Sequence, residues 1–245
     1  MILSVSAITG CLLIFSISGS DTLIDRAVQL YETRHLNSEN LLRSYEILTD
    51  IVQKEAENLR AHYELSKVCY LMGDAQKNKE DKLKFYNQGI EYGKKAIRID
   101  KNSIWAHFWY MVNLGRSGQL KGVLNSLGIV SEVKKEIEIV LKLNPRHAGA
   151  MDAYAMLYYE LPRFMGGNLN KSIEYLNKAI EIDSNYTVLY VDMAKVYIKK
   201  KEYEKARWFL NKVLDIKNPT FEADYILDDR PEALKLLELI KKEDN

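Results

Sequence analysis

This 245-residue chain has only two cysteines, Cys11 and Cys69, and four prolines. Two thiols are too few for a disulfide framework, and their spacing fits neither a zinc ribbon nor a CxxC redox pair. Four prolines and 12 glycines exclude a collagen-like or low-complexity chain. An excess of one charge is also missing. Thirty-five Lys and Arg stand against 34 Asp and Glu, a net charge of +1, with no long block of either sign, which argues against nucleic acid as the main partner. What is present, 47% apolar and 28% charged residues, is the composition of a folded chain of one or two domains.

Residues 1–20, MILSVSAITGCLLIFSISGS, carry no charge, and an ordinary charged pattern begins at Asp21. The shift reads as an export signal or anchor on residues 1–20, ahead of a repeat domain over 21–245. The apolar stretch Ile2 to Phe15 is shorter than the roughly 20 residues that a membrane span needs. Three outcomes stay open: cleavage near Ser18 or Ser20, lipidation at Cys11 of a lipobox-like Ile8-Thr9-Gly10-Cys11, and an uncleaved anchor or buried first helix. No basic residue opens the segment.

From Asp21 onward the apolar residues recur at helical period, the breakers fall between periodic segments, and no strand is convincing. The helices come in pairs that copy one another. Five second helices align on Ser44, Gly89, Val133, Ser172 and Ala206. Four residues later stand Leu48, Gly93, Ile137, Leu176 and Leu210, and three further on Ile51, Ala96, Val140, Ala179 and Val213. Turns are expected at Ala56, Lys101, Pro145, Ser184 and Asn218. The following first helices keep phase at Ser66, Ala155 and Ala194, with Met111 as a misfit. This is the spacing of a tetratricopeptide repeat, so the expected fold is all-α, a tetratricopeptide-like solenoid.

Long insertions separate the paired helices: KNKEDKLKFY, GRSGQLKGVLNSLG, and a connector LPRFMGG that includes Leu161, Pro162, Phe164, Gly166 and Gly167. Insertions of this kind project from one edge of a solenoid, often the edge that recognises a partner. A last helix after Pro231 is expected to cap the stack with Ala233, Leu236, Leu237 and Ile240.

The run WAHFWYMVNLGRSGQLKGVLNS, the LNPRHAGA turn and the LPRFMGGNLNKSIEYLNKAI segment make the chain resemble the T component of tripartite ATP-independent periplasmic (TRAP) transporters. That resemblance implies an exported, often lipid-anchored periplasmic protein. It would dock the transporter's solute-binding subunit, carry an apolar cleft and assemble as trimers.

Residue by residue, the concave side is expected to carry Tyr63, Lys67 and Tyr70 of one first helix, then Trp105, Phe108 and Val112, then Asp152, Met156 and Tyr159, then Val191 of the last. An aromatic and aliphatic lining with charges near its ends suits an apolar small molecule or an amphipathic helix. Trp105, Phe108, Trp109 and Tyr110 have a second reading as core, because aromatic stripes at helical spacing usually pack.

The chemistry-bearing residues point to no catalytic constellation, metal site or cofactor. The four histidines lack paired metal spacing, and Gly166-Gly167 lacks the context of a phosphate loop. Cys69 sits where the repeat wants a buried side chain. The expected function is therefore non-enzymatic binding of a protein partner, as an accessory of a TRAP-type transporter or as a general scaffold for envelope assembly or secretion.

Overall fold

In the computed structural model of the chain, residues 19–122 and 127–243 are described. Among them every regular element is helical. The signal or anchor expected on the first twenty residues, and Cys11 with it, lie almost entirely outside the described residues. No helix among the described residues is long and apolar enough to cross a membrane.

Five helix pairs follow one another along the chain. They are α1 (Gly19–Glu32) with α2 (Asn40–Lys54), α3 (Leu59–Asp74) with α4 (Lys79–Ile99), α5 (Ile104–Lys121) with α6 (Leu127–Leu143), α7 (Ala148–Glu160) with α8 (Leu169–Ile182), and α9 (Thr187–Lys199) with α10 (Tyr203–Asp215). A short α11 (Glu222–Asp224), a π-helical turn at Tyr225–Asp229 and α12 (Arg230–Glu243) complete the molecule. The tetratricopeptide-like solenoid expected from the spacing is the fold observed.

The aligned positions explain why. Ser44, Leu48, Ile51, Val133, Ile137, Val140, Ser172, Leu176, Ala179, Ala206, Leu210 and Val213 are all buried, because a period of 3.6 puts positions four and three apart on one helix face. The core is accordingly divided into successive clusters along the stack, each shared by neighbouring pairs, as expected where each pair buries its apolar face only against its neighbours. Ala233, Leu236 and Ile240 of α12 are buried with Ala206, Leu210 and Val213, and Leu237 packs beside them. The last helix is the cap.

Turns between pairs repeat a local device. Asp100, Asn144 and Asp183 each accept a hydrogen bond from the backbone N–H two residues on, at 2.9, 3.0 and 3.0 Å, an Asx turn that reverses the chain. Asn58, Ser103 and His147 then cap the next helix by accepting from the N–H groups of Ala61, Ala106 and Ala150, which satisfies donors a helix start leaves free.

Two insertions are helix rather than loop. Lys79–Ile99 takes up most of KNKEDKLKFY, and α5 continues through Gly115 and Gly118 to Lys121, two turns into GRSGQLKGVLNSLG. The misfit at Met111 is resolved by its neighbours. Met111 is fully buried, and the small residues that admit close approach stand on α4 instead. A Cβ on Gly93 would lie 2.8 Å from the Tyr110 Cα, and one on Gly89 would lie 2.3 Å from the Asn113 side chain. Asn113 uses that proximity: its amide donates to the Ser66 and Trp109 carbonyls, both at 2.9 Å, while the Ser66 hydroxyl donates to the Gly89 carbonyl at 2.8 Å. Helices α3, α4 and α5 are joined at this point.

Candidate protein-binding groove

The first helices of successive pairs lie side by side, α3 against α5 and α7 against α9. Their shared face forms the inner wall of the solenoid. At the α3–α5 end this wall is aromatic and cationic. The Lys67 ammonium sits 4.2 Å from the centroid of the Tyr31 ring and 5.4 Å from that of Trp109, a cation–π arrangement that partly replaces lost water. Burial pushes the Lys67 pKa down, against the pull of Glu64. The Tyr31 hydroxyl donates to Glu64 at 2.9 Å, and burial raises the pKa of that carboxyl. Tyr70 packs on Trp109 and Tyr86 at 5.8 and 6.4 Å, with the Arg116 guanidinium 5.7 Å over its ring and 3.7 Å from Asp74.

At the α7–α9 end the wall turns acidic. The Lys195 ammonium donates to Asp192 at 2.8 Å. Asp152, on the facing helix, has a buried Oδ1 with no hydrogen-bond partner. Burial first, and Asp192 second, raise its pKa well above the ordinary carboxylate range. Asp229 is buried, hydrogen-bonded by the Thr187 hydroxyl at 2.5 Å, and burial lifts its pKa to about 7.

The C-terminal residues bridge the two ends. Thr220 donates from its N–H to the Asn185 carbonyl at 3.0 Å and from its hydroxyl to Asp183. The Phe221 ring meets Tyr186 edge-on at 5.0 Å and lies 5.9 Å from the Lys67 ammonium. Asp224 then pairs with Arg34, 190 residues earlier, and Asp228 approaches the same guanidinium at 3.6 Å. The first and last repeats are tied across the groove.

Comparison with known proteins decides the family. The model for regulator of microtubule dynamics proteins 1–3 matches residues 23–241. The chain belongs to that family. Regulator of microtubule dynamics protein 1 of Bos taurus is 24% identical over 234 residues, covering 89% of this chain and 71% of the bovine protein. Regulator of microtubule dynamics protein 2 of Rattus norvegicus is 24% identical over 213 residues, covering 79% of this chain and 51% of its own length. Among solved structures, a tetratricopeptide-repeat protein of Thermus thermophilus superposes with a TM-score of 0.67 at 14% identity over 88% of this chain and 100% of that one. PilF of Pseudomonas aeruginosa gives 0.52 at 17% identity over 92% and 93%. At such identities the likeness speaks for the fold alone.

Membership in the microtubule-regulator family corrects the resemblance to TRAP transporters. With it fall the accessory role in solute transport, the solute-binding subunit as partner and the periplasmic location. What stands is the coarser statement that this fold is one that mediates protein–protein interaction.

The structure distributes the groove residues expected from sequence unevenly. Tyr63, Lys67, Tyr70, Val112, Asp152, Met156 and Tyr159 are half-buried on the inner helices, and Lys199 lies 4.2 Å over the Tyr159 ring. Phe108 and Val191 are corrections: both are buried in core clusters, Phe108 against the His147 ring at 4.6 Å. Trp105 stays 49% exposed, in edge contact with His147 at 5.3 Å. Trp109, Arg116, Asp192 and Tyr186 were missed, although the helical steps from Val112 and Lys195 lead to the first three. The charged groups of the lining are cationic at the α3–α5 end, at Lys67 and Arg116, and acidic at the α7–α9 end, at Asp152 and Asp192, so the lining is no apolar slot.

The connector is wound on itself. Leu161–Gly167 encloses a short 3-10 turn at Arg163–Met165. The Gly167 N–H donates to the Pro162 carbonyl at 3.0 Å, and a Cβ on Gly167 would strike the Leu161 carbonyl oxygen. Gly166 takes a left-handed φ of +99°, which glycine adopts without steric cost. Phe164 is left 88% exposed at its tip.

His62, His107 and His147 pack as buried residues. His107 faces Glu136 at 2.5 Å through Nδ1 and the Lys101 carbonyl at 2.9 Å through Nε2. Both partners accept, so both contacts are satisfied only by the doubly protonated ring. Burial opposes that charge, yet the hydrogen bonds to Glu136 and Lys101 outweigh it and hold the pKa above the usual value. His62 and His147 have pKa values lowered by burial. Cys69 is buried and its thiol pKa is raised by the same cause, which works against a nucleophilic role.

Proposed function

We propose that the chain is a non-catalytic protein-binding module in the regulation of microtubule dynamics, and that its inner face holds a segment of a protein partner. The observation that carries this reading is family membership across residues 23–241. The groove lends physical support. Aromatic rings and cations such as Tyr70, Trp109 and Lys67 are the residue types that anchor peptide segments. The relatives' names state what they regulate, and this chain covers only part of their length, so the role is carried here by the shared repeat region.

The direct test is co-pelleting of the purified chain with polymerised tubulin, alongside Lys67→Ala and Trp109→Ala variants whose helicity is checked by circular dichroism. The wild type is expected in the pellet, with the folded variants shifted to the supernatant. A wild type that stays in the supernatant at every tubulin concentration, or variants that pellet equally, would overturn the proposal.

A further inference from the structure

We propose that residues 217–229, KNPTFEADYILDD, are an internal occupant of the groove. They stand in for an aromatic, acidic segment of a protein partner, and the partner binds by displacing them. The inference deepens the proposed function and rests on its treatment of the inner face as a protein-binding surface.

The first argument is complementarity. The segment carries Glu222, Asp224, Asp228 and Asp229 against the single Lys217. It presents Phe221 to the Lys67 ammonium and Asp224 to Arg34. Beside Lys67 the α3–α5 end carries Trp109, Tyr70 and Arg116 in ring and cation–π contact. An aromatic side chain with a carboxylate three residues on, one helical turn, is what Lys67 of α3 and Arg34 of the α1–α2 turn hold in cis. A partner segment with the same pattern would meet the same groups.

The second argument is how lightly the middle of the segment is held. Its ends are anchored, Thr220 on Asp183 and Asn185, and Asp229 on Thr187. Between them Ala223 is buried, yet Phe221, Ile226 and Leu227 remain 39%, 41% and 46% exposed. A strap serving only to hold the fold would bury those side chains, as α12 buries Ala233 and Ile240. The tie to the first repeat runs through one guanidinium, itself 9% exposed, whose carboxylate partners Asp224 and Asp228 are 36% and 64% exposed. The Asp228 contact, 3.6 Å long and open to solvent on the carboxylate side, contributes little and is screened by salt.

A tethered segment competes at high effective concentration, so it lowers the apparent affinity of any outside segment by the fraction of time the groove is open. Loosening the tether therefore strengthens binding in trans.

The experiment uses the full chain and, as probe, a fluorescein-labelled synthetic peptide of sequence KNPTFEADYILDD, followed by fluorescence polarisation at low salt. The wild type is expected to bind weakly, and the Phe221→Ala/Asp224→Ala double variant at least tenfold more tightly. Adding Lys67→Ala to the double variant is expected to cost tenfold or more. Equal affinity of wild type and double variant, or binding indifferent to Lys67→Ala, would refute the inference. If the double variant loses helicity, Phe221→Ala alone replaces it, since that ring lies outside the core clusters. Co-pelleting with tubulin separates the two claims. A wild type that pellets without any peptide gain in the variant sinks only the displacement idea, whereas a gain without pelleting sinks only the microtubule role.

Discussion

The contact between α4 and α5 gives the sharpest stability test of the repeat packing. Replacing Gly93 by alanine places a methyl group 2.8 Å from the Cα and Cβ of Tyr110 and 3.1 Å from its N. Two of these atoms are backbone, so no side-chain rotation relieves the clash and α5 must move away as a unit. Overpacking of this kind costs about 1–3 kcal/mol, and the backbone contact puts Gly93 in the upper part of that range. Alanine's helix propensity returns about 1 kcal/mol, leaving a net loss of about 1–2 kcal/mol. Gly115, inside α5, has nothing within 4 Å of its Cβ position. There the same substitution should stabilise by about 0.5–1 kcal/mol. Urea unfolding followed by circular dichroism at fixed pH compares the two, and the expected order of midpoints is Gly115→Ala, wild type, Gly93→Ala. If Gly93→Ala stabilises as Gly115→Ala does, α4 and α5 do not approach at Tyr110 and the account of the Met111 misfit is wrong.

Three further outcomes follow from buried groups. Leu176→Ala removes a fully buried side chain and should cost about 2–5 kcal/mol as a cavity, read from the same urea transitions. Asp229 has a folded pKa of about 7 against an ordinary value near 4, so the folded state binds the extra proton and Asp229 makes stability fall as pH rises from about 4 to 7. Asp229→Asn should therefore raise stability at pH 8 by up to about 4 kcal/mol and leave it nearly unchanged at pH 4; no gain at pH 8 would refute the burial argument. His107 works through the opposite charge type with the same sign. Its raised folded pKa gives a stabilisation that is complete below the unfolded value near 6.5 and lost as pH rises through the folded one. Glu136→Gln should shrink the stability difference between pH 6 and pH 9, and an unchanged difference would mean that the pair does not titrate as described.

How much of this was legible in the sequence depends on the range of the contact. Repeat phase was readable because burial on one helix face imposes a short period, as at Ser172, Leu176 and Ala179, and the cap was readable through Ala233, Leu236 and Ile240 for the same reason. The groove was half readable. Tyr70 and Lys67 followed from the register of α3, but in α5 the small residues had moved to Gly89 and Gly93 on the facing helix. That places Trp109 and Arg116 inward, and Phe108 in the core. The C-terminal strap was invisible, since Arg34 and Asp224 are 190 residues apart and no local pattern joins them. The family was misread because the features that suggested it, the ordered insertions and the Leu161–Gly167 connector, encode helix packing and a glycine turn and carry no information about a partner.

The central claim is that the inner face of the solenoid is where a microtubule-associated partner is held. Side-chain footprinting with hydroxyl radicals, in the presence and absence of polymerised tubulin, tests it most directly. The account predicts that Tyr70, Trp109 and Tyr159 lose reactivity on binding, while Trp208 on α10 and Phe164 on the connector keep theirs. Protection confined to Trp208 and Phe164, with the inner rings unchanged, would place the interaction elsewhere on the molecule and contradict the claim.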